Sequence, residues 1–190
     1  MSTGERRTEI LQTLAAMLEQ PQAEKTTTAN LARRLNLSEA ALYRHFASKA
    51  QMFEGLIEFI EETLFGRINR IAEEQANGLE QVQSTITLLL AFAEKNPGMT
   101  RVLVGDALVT ENPRLQLRIN QVHDRLEASL RQNLRTAISR SELRPDFNGA
   151  SFANLLLCLV IGRWAQYAKS GFKRTPLAGW DVVWGQIKPH

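Results

Sequence analysis

A short stretch of the chain carries side chains suited to contacting a nucleic acid: Thr27, Thr28, Ser38, Ala41, Tyr43, Arg44, His45 and Lys49. The hydroxyls of Ser38 and Tyr43 suit phosphate oxygens. Thr27 and Thr28 begin a predicted helix and can reach phosphate through hydroxyl and N–H groups, while Lys49 begins another, where free N–H groups and a positive charge favour an anion. Ala41 offers only a methyl, for example to a thymine methyl. Arg44 is the one side chain here able to grip guanine with two hydrogen bonds; alternatively it holds a phosphate or an acid on a neighbouring helix. His45 either contacts a phosphate near the groove wall or is a half-buried ring donating to a backbone carbonyl. Glu39 stands against this chemistry, since it repels phosphate unless it accepts from a cytosine amine.

These groups act together only if the chain holds them at a fixed angle, and the apolar spacing supplies that. Leu31, Leu35, Leu37 and Leu42 fall where two short helices joined by a tight turn need apolar contacts. Ala32 sits where the helices cross, so a larger residue would separate them. Asn36 occupies the turn and tolerates positive φ. Thr27 or Thr28 caps the first helix of the pair, Ser38 the second and Ser48 the helix after it. Gln51 follows Ser48 by three residues, the spacing of a capping box. The segment SEAALYRHF is therefore read as a helix lying in the major groove, with Ser38, Ala41 and Tyr43 toward bases and backbone. Leu42 points inward, and Phe46 takes the packing role that His45 cannot.

Most of the remaining sequence has helical periodicity, and no period-two strand is predicted. A first helix is expected over Glu5–Glu19, ended by Gln20-Pro21-Gln22. The fourth, from Ser48, has a broad apolar arc through Ile71 and reads as a strut between two bodies. Further helices are expected over Leu79–Glu94, Met99–Thr110, from Leu115 through Leu134, over Ala150–Ser170, and in a tail with Trp180 and Trp184. The stripe Leu115, Ile119, Val122, Leu126, Leu130, Leu134 fits either a core face or a coiled-coil seam, the core being preferred. The Ala150–Ser170 helix is apolar almost all round and is expected to be buried.

The chain has 190 residues, 44% of them hydrophobic, with net charge +3. This composition suits a globular protein and is compatible with a nucleic-acid partner without requiring one. Cys158 is the only cysteine, so no internal disulfide forms and a reducing cytoplasm is the natural setting. Its place in LLLCLV marks it as a buried, inert thiol. The N-terminus lacks a signal-peptide core, and no membrane anchor is expected. His123-Asp124 could suggest a metal or acid–base site, but helix neighbours diverge and the chain has only three histidines. With no phosphate-binding glycine loop either, the chain reads as neither an enzyme nor a metal or cofactor binder.

LARRLNLSEAALYRHFASK resembles the DNA-binding motif of TetR-type regulators, in which Tyr43, His45, Phe46 and Lys49 stand at recurring positions. The segments RRTEILQTLAAMLE, SEAALYRHFASKAQMFEGLIEFIE, EKNPGMTRVLVGDAL and RLQLRINQVHDRLEASLRQ extend the resemblance to the SlmA-like nucleoid occlusion branch of that family. The resemblance implies a homodimer on palindromic chromosomal sites. Once bound, it would engage the tail of the tubulin-like GTPase FtsZ and block ring assembly over the nucleoid. On the family's pattern the partner groove lies between the fourth helix and the next, at Phe59, Arg67, Leu88, Lys95 and Asn96. On its own sequence evidence, Phe59 reads either as an exposed contact residue or as ordinary core, and Arg67 equally as a solvated charge. The chain departs from the pattern at Asn36 and Ala47, which replace Gly and Pro, and at Lys95, which replaces Arg and loses its planar fork.

The expectation is an all-α, TetR-like fold. A DNA-binding domain is expected over 4–64, with its motif at 27–46, and a helical dimerisation and partner-binding domain over 65–190. The Ala150–Ser170 helix and the Trp-bearing tail are expected to form the dimer interface. The expected role is DNA-bound inhibition of FtsZ assembly, with a cytoplasmic, nucleoid-associated location and no small-molecule ligand. The rival is a transcriptional repressor released by a ligand, which needs an apolar pocket with a few polar groups.

Overall fold

A computed structural model describes residues 3–20 and 26–189, and all regular structure among them is helical. The helices are α1 (Thr3–Leu18), α2 (Thr28–Arg34), α3 (Glu39–Tyr43), α4 (Lys49–Glu74), α5 (Gly78–Lys95), α6 (Pro97–Leu103), α7 (Pro113–Ser139), α8 (Gly149–Lys169) and α9 (Trp180–Ile187). A 3-10 turn at Asp106–Leu108 lies between α6 and α7. The expected end of α1 at Pro21-Gln22 lies outside the described residues.

The chain divides into two compact units. The first holds the described residues of Met1–Ile60 together with Asn96–Ile119; the second holds Glu61–Lys95 and Asn120–His190. The first unit thus takes in a stretch that a division at residue 64 leaves with the later helices.

In the first unit, Ile10, Leu14 and Leu18 of α1 are buried with Leu31, Leu42, Phe46, Met52 and Phe53. The segment 97–103 packs on α1 through a close backbone approach. A Cβ on Gly98 would lie 1.9 Å from the Ala15 carbonyl oxygen, so only glycine fits there. Arg101 adds a hydrogen bond of 3.1 Å to the Leu18 carbonyl.

The helix expected over Met99–Thr110 starts earlier and stops sooner than its apolar spacing implied. Pro97 begins it, because proline lacks the N–H that a first-turn residue would leave unused anyway. Gly105, at φ 84°, turns the chain away before residue 106. Pro113 opens α7 in the same way.

The second unit is built around tryptophans. Trp164 is fully buried and donates its indole N–H to the Leu89 carbonyl at 3.1 Å, while Trp180 donates to Thr87 Oγ1 at 2.9 Å. Of the α7 stripe, Val122, Leu126, Leu130 and Leu134 are fully buried in this unit, as a core face requires, while Leu115 and Ile119 are buried in the first. Glu142 caps α5 from a distance, accepting from the Gly78 and Leu79 N–H groups at 2.7 and 3.0 Å. Gly78 itself is required, since a Cβ would come within 2.1 Å of the Ala137 nitrogen.

The expectation that α8 is buried all round is corrected. Ala153, Leu156, Leu157, Val160, Trp164 and Tyr167 form its inner face. Leu155 is 54% exposed and Cys158 is also exposed, so the thiol is not the buried group that its apolar neighbours suggested. Steps of three and four residues carry positions 153, 156, 160, 164 and 167 inward and place 155 and 158 on the opposite side. No described helix is long and apolar enough to cross a membrane.

Candidate nucleic-acid interface

The α2–turn–α3 corner closes as the sequence predicts. Thr27 caps α2, its hydroxyl oxygen accepting from the Asn30 N–H at 3.2 Å. Ser38 caps α3 and accepts from Ala41 N–H at 3.1 Å. Because each oxygen is used as an acceptor, each hydroxyl proton stays available to donate outward. Between the helices, Asn36 adopts φ 53°. The Asn36 N–H reaches the Arg33 carbonyl at 3.2 Å and the Leu37 N–H reaches Ala32 at 2.9 Å. That pair of bonds is a Schellman ending, which places a left-handed residue one position beyond the helix.

Leu31, Ala32, Leu35 and Leu42 are buried and Leu37 is half-buried, so the leucines face inward as expected. α3 itself is a short helix: regular helical structure covers only Glu39–Tyr43, with Arg44 as its C-cap. Ser48 receives the Gln51 N–H at 3.1 Å, but the Gln51 side chain accepts from Ala47 N–H, one residue before the cap that a capping box would use.

Three of the candidate contacts are already engaged within the protein. The Tyr43 hydroxyl, on a ring 42% exposed, donates to Thr28 Oγ1 at 3.4 Å. Thr28 in turn donates to Glu39 Oε2 at 2.7 Å. Glu39, unexplained in the sequence, is thus the acceptor at the end of a surface chain of hydroxyls. Lys49 is paired with the Glu111 carboxylate, and its ammonium lies 5.8 Å from the centroid of the Phe53 ring.

Arg44 is exposed and Ala41 half-buried. His45 is half-buried, and its Nδ1 is enclosed without a hydrogen-bond partner, so a phosphate contact from this ring has to use Nε2. Its backbone carbonyl is held by Arg7, whose guanidinium lies 4.1 Å from the Phe46 ring centroid. Arg7 of α1 is thus occupied in bracing the turn that follows α3.

Glu111 and the clamp made by Arg7 are the features that sequence reading missed. Glu111 lies 62 residues from Lys49, and no local spacing signals the pair.

Of the partner candidates, Phe59 and Asn96 belong to the first unit, and Arg67, Leu88 and Lys95 to the second. Phe59 is 37% exposed, Arg67 and Lys95 are exposed, and Leu88 and Asn96 are half-buried. Within the second unit, Leu88 lines an open groove of about 590 Å³ with Gln83, Ser84, Thr87, Ala91 and Asp181. Among the described residues no group of His, Cys, Asp and Glu is arranged to hold a metal. His123 instead lies beside Trp164, with ring centroids 6.3 Å apart.

Comparison with known proteins joins these observations. Residues 10–56 match the family of bacterial regulatory proteins of the tetR type, and residues 76–189 match the SlmA-like form of the tetracyclin repressor-like C-terminal domain. A nucleoid occlusion factor SlmA from Marinomonas sp. (strain MWYL1) is 51% identical over 181 residues, covering 95% of this chain and 92% of that protein. The SlmA of Vibrio cholerae serotype O1 is 52% identical over 183 residues, covering 96% and 93%. Among solved structures, a TetR transcription regulator from Haloarcula marismortui superposes with a TM-score of 0.81 at 14% identity, covering 97% of each chain. A FadR regulator from Bacillus subtilis in complex with stearoyl-CoA gives 0.75 at 14% identity, covering 93% of this chain and 94% of that one. At such identities the two structures speak for the fold alone.

Proposed function

The chain belongs to the TetR family of bacterial regulators, in its SlmA-like branch, and from that premise we propose that it is a nucleoid occlusion factor. It is a dimeric DNA-binding regulator and not an enzyme. Bound to palindromic chromosomal sites as a homodimer, it inhibits FtsZ ring assembly and so blocks division over the nucleoid, which makes its location cytoplasmic and nucleoid-associated.

The observation that carries this reading is identity near one half to SlmA proteins along almost the whole chain, coupled with an intact reading corner. The DNA contacts are assigned to Thr27, Thr28, Ser38, Ala41, Tyr43, Arg44, His45 and Lys49, within a DNA-binding domain spanning 4–64. The FtsZ tail is assigned to Phe59, Arg67, Leu88, Lys95 and Asn96, with 65–190 as the dimerisation and partner-binding domain. DNA acts by favouring the conformation that binds the tail better. No small-molecule ligand is part of the proposed mechanism.

FtsZ assembly followed by light scattering tests the proposal. Protein with specific DNA is expected to suppress assembly well beyond protein alone, and FtsZ lacking its tail is expected to escape. Unchanged assembly with the DNA-loaded protein, together with no binding to a tail peptide, would overturn it.

A further inference from the structure

We infer that Glu111 is an intramolecular stand-in for a DNA phosphate at Lys49, and that it sets how tightly the protein holds DNA. The inference rests on the reading above in which Lys49 contacts the backbone of the duplex.

Lys49 opens α4, directly after the α3 corner, where an ammonium beside free helix N–H groups favours a phosphate oxygen. That ammonium is paired within the protein. Its partner is a carboxylate whose side chain is 13% exposed, against 32% for Lys49. Glu111 is held in place by its backbone. Its N–H donates to the Leu108 carbonyl at 3.0 Å, and α7 begins two residues later at Pro113. The preceding segment is fastened to α1 through Arg101, which bonds the Leu18 carbonyl at 3.1 Å and pairs with Asp106 at 3.2 Å. The acid is therefore delivered to a fixed point, while the lysine is free to turn. An open cleft of about 460 Å³, lined by Thr26, Thr27, Lys49, Arg101, Asp106 and Glu111, gives its stem room to swing.

A phosphate reaching Lys49 has to displace Glu111, and the displaced carboxylate then stands near the DNA as a like charge. Both effects weaken binding. They act on every sequence, because the phosphate contact carries no base information. Glu111 thereby limits how far the protein binds duplex without its site.

The test uses the full-length dimer and a mixed-sequence duplex over a range of salt. Glu111→Gln keeps the shape and removes the charge; it is expected to tighten binding by about threefold. Its affinity should fall more steeply with salt, the log–log slope growing by up to about one. Glu111→Asp, which keeps the charge, should stay near wild type. Lys49→Ala should weaken binding, and Glu111→Gln should tighten binding less in that background than in wild type, because only the like-charge effect is then left to remove. If Lys49→Ala weakens binding while Glu111→Gln leaves it unchanged or weaker, the inference falls and the phosphate role of Lys49 stands. If Lys49→Ala has no effect on affinity, the underlying assignment of Lys49 is the part that is wrong.

Discussion

Hydroxyl protons decide what each side chain of the reading corner can offer. Thr27 and Ser38 use their oxygens as caps and keep their protons for an outside acceptor, whereas Tyr43 and Thr28 spend theirs within the protein. Which residues are caps was legible in the sequence, because Ser and Thr before a helical apolar pattern have a local geometric role. The pairing of Thr28 with Glu39 and of Lys49 with Glu111 was not, since it depends on how separate helices meet. The same limit explains Cys158, whose neighbours in sequence are apolar while its side of α8 is open. In the second unit, the amide of Asn154 and then the guanidinium of Arg131 hold the Glu127 carboxyl below its ordinary range. A depressed carboxyl contributes stability that is complete above its unfolded value, about 4.5, and is lost as pH falls through the folded value. Melting temperature across an acid titration should therefore show Glu127→Gln below wild type at pH 7, with the gap closing as acid protonates the carboxyl below its ordinary range. A gap that persists unchanged into acid would contradict the assignment.

Helix identity was readable from periodicity, but helix boundaries depended on backbone chemistry that periodicity does not register. Asn96-Pro97-Gly98 reads as a stop for α5, and it is also the start of α6, because proline suits a first helical position. Gly98 then serves a purpose visible only in three dimensions, since it lets α6 touch the α1 backbone at Ala15. Gly98→Ala should push α6 off α1 and cost about 2–3 kcal/mol in urea denaturation. A midpoint within experimental error of wild type would mean that the two helices are not locked together as described. In α3 the boundary again escapes the pattern. Nine residues, SEAALYRHF, look helical by spacing, yet regular helix ends at Tyr43, and Arg7 braces the turn that follows through the His45 carbonyl and the Phe46 ring.

Dimerisation gives the exposed apolar groups of the second unit a use that one chain cannot provide. Leu155 on α8 and Val182 on α9 are 54% and 67% exposed, although each helix buries its opposite face. We assign these outer faces to the two-fold interface. Leu155→Glu should then yield a monomer by sedimentation with an unchanged helical spectrum, and should lose affinity for palindromic DNA along with its second half-site contact. A dimer of wild-type stability would place the interface elsewhere. The account as a whole depends on the α2–α3 corner reading duplex DNA, and selection of binding sites from a random duplex pool measures this directly. The wild-type protein should enrich one palindrome, and a double variant, Tyr43→Ala with Arg44→Ala, should enrich none. Failure of the wild-type protein to enrich any sequence, or equal enrichment by the double variant, would contradict it.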